Sequence, residues 1–240
     1  MDLIIFILGL LVGSFLNCIV YWLEKKKRKN LFGRSFCPHC SHSLAFFDLI
    51  PLLSFIFLKG KCRYCGRKIS WYYPLVELLT GLVFLLIFNY YSAPGEVFFL
   101  IVISSLLIIV FSYDLKHYLI PSKVVYLGII IAFLKFNLLS GLGTALFFFL
   151  IWLVSKGKWM GFGDVELAFL IGLLLGWPNV LTALFSAFLI GAIIGLALMI
   201  FGKKKLKSRL PFGPFLVTGA FIGLFFGEKI INWYLSLAGL

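Results

Sequence analysis

Acidic residues are scarce in this 240-residue chain: nine Asp and Glu stand against 22 Lys and Arg. Charged residues of either sign make up only 13%, while 62% of the chain is hydrophobic. So thin a supply of charge excludes a soluble globular core and describes a polytopic membrane protein. Also missing are a basic stretch ahead of the first apolar run and a small-residue cleavage site after it. That run, which begins at Asp2, is therefore expected to be a retained span and not a cleaved signal peptide. No nucleic-acid-binding signature accompanies the formal charge of +13. Contact with anionic lipid head groups accounts for it, so membrane lipid is the expected partner and nucleic acid is not.

What is present is a series of long apolar runs. A span needs about 20 apolar residues, and eight candidates lie at about 3–23, 71–92, 97–113, 121–139, 143–155, 165–177, 179–201 and 211–228. They predict an all-α polytopic membrane protein of about eight transmembrane helices. The fifth and sixth are short, as expected where helices line a polar cavity or where the chain near Gly161–Gly163 dips into the membrane. The basic run Lys25-Lys26-Lys27-Arg28-Lys29 follows the first span, which places residue 24 onward in the cytoplasm and the N-terminus outside. Alternating the spans from there puts 20 Lys and Arg on the cytoplasmic side, the cluster Lys203 to Arg209 among them, and leaves only Lys135 and Lys229 toward the outside. The tail from Lys229 to Leu240 reads as an interfacial helix with Trp233 and Tyr234 at head-group level.

Residues 24–70 form the one sizeable extramembrane segment. It carries Cys37-Pro38-His39-Cys40 and, after 21 intervening residues, Cys62-Arg63-Tyr64-Cys65-Gly66. Two C-x-x-C pairs at this spacing match a four-thiolate zinc module, each pair forming a knuckle that aims two sulfurs at one tetrahedral ion. A closed four-sulfur shell leaves no position for water, so the metal would be structural. A redox dithiol at Cys37 and Cys40 competes, but that chemistry needs a βαβ scaffold and no second pair. Haem attachment is excluded because Ser41 and Gly66, not His, follow the second cysteines. His39 and His42 are alternative ligands, more simply read as solvated loop residues. Cys18 sits alone in the first span as a packing residue. The run from Asp48 to Phe55 is too short to span and is either the core of the zinc module or an interfacial segment.

With acids so few, each one inside an apolar run is a candidate for function, because placing a carboxylate at the bilayer centre costs roughly 2.5–3.5 kcal/mol on insertion scales. Asp164 stands in Gly161-Phe162-Gly163-Asp164 at the opening of the sixth span, where an ordinary helix cap explains it equally well. Asp114 ends the third span, on the unfavourable end of the helix macrodipole. Its competing explanation is a surface residue paired to Lys116. Both acids fall at the same depth on the cytoplasmic face. Two neighbouring carboxylates cannot both ionise cheaply, so such a pair shares one proton, as in an aspartic-protease dyad. Glu77 lies near the cytoplasmic end of the second span, Glu166 follows Asp164 by two residues, and Asn17 with Gly13 and Ser14 reads as a helix-packing position in the first span.

Taken in order, Gly13-Ser14-Phe15-Leu16-Asn17, the paired C-x-x-C loop, Tyr73 to Gly81, Asp114 with Ile120-Pro121, Gly161 to Asp164 and Pro211-Phe212-Gly213-Pro214-Phe215 resemble the bacterial type IV prepilin peptidase family. The resemblance implies a membrane aspartic protease. Such an enzyme cuts the basic leader from prepilin and pseudopilin substrates at the cytoplasmic membrane, after a Gly, with Asp114 and Asp164 as its catalytic pair. It further implies N-methylation of the new terminus with S-adenosylmethionine, assigned to residues 1–92, where Gly60 and Glu77 fall, ahead of a six-span peptidase region at 93–240. No Gly-rich nucleotide loop follows a strand, so methyl transfer rests on the resemblance alone. One departure stands out: Glu166 occupies a position where the family commonly has Lys, which would add a third carboxylate near the pair. A proton-coupled transporter is the main rival, but the chain has no related inverted halves. A non-catalytic assembly protein presenting the zinc loop is the second.

Overall fold

The computed structural model describes residues 1–24, 35–135, 137–202 and 210–238. The basic runs Lys25–Lys29 and Lys203–Arg209, on which the expected topology leans, lie outside the described residues. Among those described there is no β-strand, only two isolated bridges, Phe36 with Ser43 and Lys61 with Lys68. Helix dominates because apolar segments in lipid must satisfy their backbone groups within the segment. Six helices are long and apolar enough to cross a membrane: α1 (Asp2–Glu24), α3 (Tyr72–Tyr90), α4 (Pro94–His117), α6 (Leu138–Ser155), α8 (Asn179–Ile200) and α9 (Gly213–Ala238). Shorter ones are α2 (Leu53–Phe57), α5 (Ser122–Ala132) and α7 (Phe162–Leu175). The chain divides into two compact units, Met1–Ile109 and Val110–Leu240, with the break inside α4.

In the first unit α1 and α3 pack side by side. Their backbones come close because Gly9 and Gly13, one turn apart, present no side chain to α3: a Cβ at Gly13 would lie 2.8 Å from the Cα of Glu77. Asn17, one turn further along the same stripe, donates its amide to the carbonyl of Tyr73 at 3.2 Å, as a packing residue should. The Cys loop follows α1. Its apolar run divides between the two expected roles. Phe55 on α2 is buried, whereas Leu53 in the same run is exposed, as are the flanking Phe46, Phe47, Ile56 and Phe57.

In the second unit α7 is central. It is apolar on nearly every side, with Leu167, Ala168, Leu170, Ile171 and Leu173 fully buried, as a helix enclosed by others must be. The hydroxyl of Thr144 on α6 donates to the carbonyl of Ala168 on α7 at 3.1 Å. Two boundaries differ from those expected. The fourth span ends at Ala132, and α6 starts at Leu138, five residues earlier than its apolar pattern suggests. The break falls at Asn137, whose side-chain amide leaves the helix register to donate to the carbonyl of Leu173 at 3.1 Å. The expected interfacial tail is instead the continuation of α9, which runs unbroken through Trp233 and Tyr234.

Candidate active site and metal centre

Asp164 is the third residue of α7, and its Oδ2 accepts the backbone N–H of Gly161 at 3.0 Å. It therefore does cap its helix, though from inside the first turn and not from the N-cap position, which Gly161 holds in extended backbone. A capping role alone leaves the side chain in solvent, but Asp164 is only 7% exposed. Asp114 is 3% exposed, which removes the surface-residue explanation. Its Oδ2 accepts the N–H of Gly213 at 2.9 Å. Gly213 has to be glycine, since a Cβ there would sit 2.6 Å from that same oxygen. The two carboxylates belong to one unit and lie near enough for the charge of Asp114 to act on Asp164. Two buried acids that feel each other, each held by one backbone donor, are equipped to exchange protons with a third party.

Glu166 does not join them. Two residues along α7 it points about 200° away from Asp164, and its Oε1 accepts the hydroxyl of Tyr126 on α5 at 2.6 Å. The expected third carboxylate near the pair is thus turned toward a neighbouring helix.

In the first unit the four cysteines converge. The Sγ atoms of Cys37, Cys40, Cys62 and Cys65 all lie within 4.8 Å of one another, with Cys37 and Cys65 at 3.9 Å. None is in a disulfide. A tetrahedral zinc with bonds of about 2.3 Å requires sulfur separations of about 3.8 Å, so the cluster needs little contraction to take one. The two knuckles are built alike. Cys37 and Cys62 each donate N–H to the carbonyl five residues on, at 3.0 and 2.9 Å, and each accepts from the residue four on, at 2.9 Å. That fourth residue turns left-handed in both: Gly66 at φ +68°, where glycine is at ease, and Ser41 at φ +57°. Burial works against the Cys37 thiolate, but the N–H groups of Cys40 and His39 and the neighbouring thiols outweigh it and bring the pKa down to about 7. His39 and His42 are not ligands here. The first meets Arg67 at 3.2 Å and the second stacks on Tyr64, with ring centres 3.7 Å apart.

Glu77 is buried on α3, and its Oε2 accepts the N–H of Leu52 at 2.9 Å. Ser14 on α1 hydrogen-bonds it as well. Gly60 lies in the turn ahead of the second knuckle at φ +68°, donating to the carbonyl of Phe55 at 2.8 Å. The structure does not bring Gly60 and Glu77 into contact. A Cβ at Gly60 would press on the Phe55 ring at 3.1 Å.

The family described as Bacterial Peptidase A24 N-terminal domain matches residues 7–91, and the Type IV leader peptidase family matches residues 101–196. A protein of Bacillus subtilis (strain 168) called prepilin leader peptidase/N-methyltransferase is 34% identical over 98% of this chain and 98% of its own. The chain belongs to the type IV leader peptidase family. Relatives bearing the same name in Legionella pneumophila and Aeromonas salmonicida are 33% and 32% identical over 98% and 97% of this chain, and 95% and 93% of theirs. No solved structure matches the chain.

The sequence of this family member points to the two aspartates and the four cysteines, but offers Gly213 only as part of the Pro211–Phe215 motif, with no link to Asp114. The one available signal was a lone glycine between two prolines in Pro211-Phe212-Gly213-Pro214. The sequence also carries no sign of the pairing of Glu166 with Tyr126 or of the hold of Ser14 and Leu52 on Glu77.

Proposed function

We propose that the chain cleaves the leader from type IV prepilins or pseudopilins at the cytoplasmic membrane, with Asp114 and Asp164 as its dyad. The reading rests foremost on one observation: two buried aspartates in one unit, each oriented by the N–H of a glycine. The pair shares a proton. The ionised member takes a proton from a water molecule as that water attacks the scissile carbonyl carbon, and the protonated member donates to the carbonyl oxygen. Collapse of the tetrahedral adduct breaks the C–N bond, and the proton taken from water passes to the leaving amine. Cleavage falls after a Gly, on the cytoplasmic face, in a chain whose N-terminus lies outside.

The second activity is N-methylation of the freed terminus with S-adenosylmethionine, carried by residues 1–92, while 93–240 carries the peptidase. Glu77 belongs to that site, and Gly60 acts on it as a positioning residue through Phe55. Zinc on Cys37, Cys40, Cys62 and Cys65 holds the loop together. The metal supplies cross-linking and no chemistry, because four thiolates complete its shell. Incubating a prepilin with the purified enzyme in detergent, followed by mass spectrometry of the product, tests both halves. The expected products are a shortened chain without the donor and a shortened chain heavier by one methyl group with it. An intact prepilin in both samples contradicts the peptidase reading; a shortened, unmethylated chain in both contradicts the transferase reading.

A further inference from the structure

Glu77 fixes how deep the Cys loop reaches. It stands five residues past the start of α3, about 7–8 Å along the helix axis. Its Oε2 accepts the N–H of Leu52 at 2.9 Å. With 19 residues α3 is about 28 Å long, against a hydrocarbon core of about 30 Å, so little of it can stand clear of the bilayer. The chain at Leu52 has therefore turned back alongside a span to a depth that lipid occupies, and α2 follows at once.

What this stretch presents to its surroundings is apolar. Phe46, Phe57 and Trp71 are 78%, 81% and 76% exposed, and Phe47, Leu53 and Ile56 are exposed as well. Leu53, Ile56 and Phe57 have the i, i+3 and i+4 spacing that shares one face of a helix, while Phe55 packs on Trp71 with ring centres 4.7 Å apart. In water such a patch is a liability. At the boundary between head groups and acyl chains it is what an interfacial helix offers, at a depth of about 5–10 Å. The backbone is closed as lipid demands: the N–H groups of Ser54, Ile56, Leu58 and Gly60 find carbonyls within the stretch at 2.8–3.1 Å. Charge favours the same occupant. Residues 35–71 hold one acid, Asp48, and five Lys and Arg. Asp48 is taken up by Arg63 at 2.8 Å and by the Tyr64 hydroxyl at 3.2 Å. Lys59, Lys61, Arg67 and Lys68 are exposed and have no second acid in the segment to balance them.

We infer that residues 46–57 are seated in the bilayer interface on the side where α1 ends. Their apolar side chains lie among the acyl chains, and Lys59 and Lys61, just past α2, extend to anionic head groups. The inference rests on α1 and α3 being spans and on neither proposed activity. It gives the Cys loop two anchors, the thiol cluster and the lipid, and makes the bilayer part of what holds Leu52 against Glu77.

The test is photocrosslinking of the full-length protein in nanodiscs of phosphatidylcholine and phosphatidylglycerol. The probe, p-benzoylphenylalanine, is placed at Phe47, at Phe57 or, as a control, at Leu82, an exposed residue in the middle of α3. Mass spectrometry reads what each probe captures, and a wild-type melting temperature shows that each protein is folded. Lipid adducts at Phe47 and Phe57 are expected within about threefold of the yield at Leu82. Adducts at Phe57 should carry phosphatidylglycerol about twofold above its share of the bilayer, an excess that Lys59→Gln with Lys61→Gln removes. Lipid capture at Leu82 with none at Phe47 and Phe57 overturns the inference, as does capture of a second copy of the chain at those two positions. Lipid adducts without an excess of phosphatidylglycerol overturn the head-group part alone.

Discussion

The two units hold their buried polar groups with different mixtures of backbone and side chain. In the second, the carboxylates are fixed by backbone: Asp164 by Gly161 in its own first turn, and Asp114 by Gly213, 99 residues away. Nothing but main chain and small residues is needed, and α7 is sealed by its neighbours. In the first unit side chains share that work with the backbone, and the Cys loop takes part in it. Asn17 braces Tyr73, Ser14 and Leu52 brace Glu77, and four thiols gather the loop. A dyad that must place water against a carbonyl benefits from rigid donors, because misplacement by about 1 Å can cost a hundredfold in rate.

This contrast can be broken experimentally, beginning where the effect is greatest. Asn in place of either Asp114 or Asp164 is expected to lower leader release by about 10³-fold or more, since each acid carries a proton-transfer role. Methylation of an already shortened prepilin is expected to be unchanged in the same variants, because the proposed methyl-transfer part, residues 1–92, lies in the other unit. Next comes Gly213→Ala. Its new methyl group would displace the Asp114 carboxylate, and cleavage assays should show a fall of about 10- to 100-fold.

Effects on the first unit are smaller and act through the metal. Elemental analysis of the wild type should find one zinc per chain and none in Cys37→Ser. Metal binding requires thiolates, so acid competes with it. As the pH falls through the Cys65 value of about 11 and then the Cys37 value of about 7, protons gain on the metal and zinc retention in the presence of a chelator is expected to decline, never to improve. The smallest effect expected is Ser41→Gly. Ser41 holds a left-handed backbone that glycine adopts without penalty, so the variant keeps its zinc and the module gains up to about 1 kcal/mol, visible as slower zinc loss to a chelator.

The same contrast decides what could be read from the chain alone. Asp114 and Asp164 are conspicuous because an acid in a nearly uncharged, apolar run has few explanations, and the cysteines because C-x-x-C pairs advertise themselves. Helix content followed from apolar run length. The break at Asn137 did not, because it depends on a bond to Leu173 on another helix, and no local pattern encodes a partner 36 residues away. The bond from Gly213 to Asp114 was hidden for the same reason.

The central claim is that one proton-sharing pair, Asp114 with Asp164, performs the cleavage. Mass spectrometry of a prepilin incubated separately with Asp114→Asn and Asp164→Asn enzyme, each shown to be folded by a wild-type melting temperature, tests it most directly. The expected result is that the leader stays attached with both variants under conditions where the wild type removes it completely. Normal removal of the leader by either one would contradict the dyad.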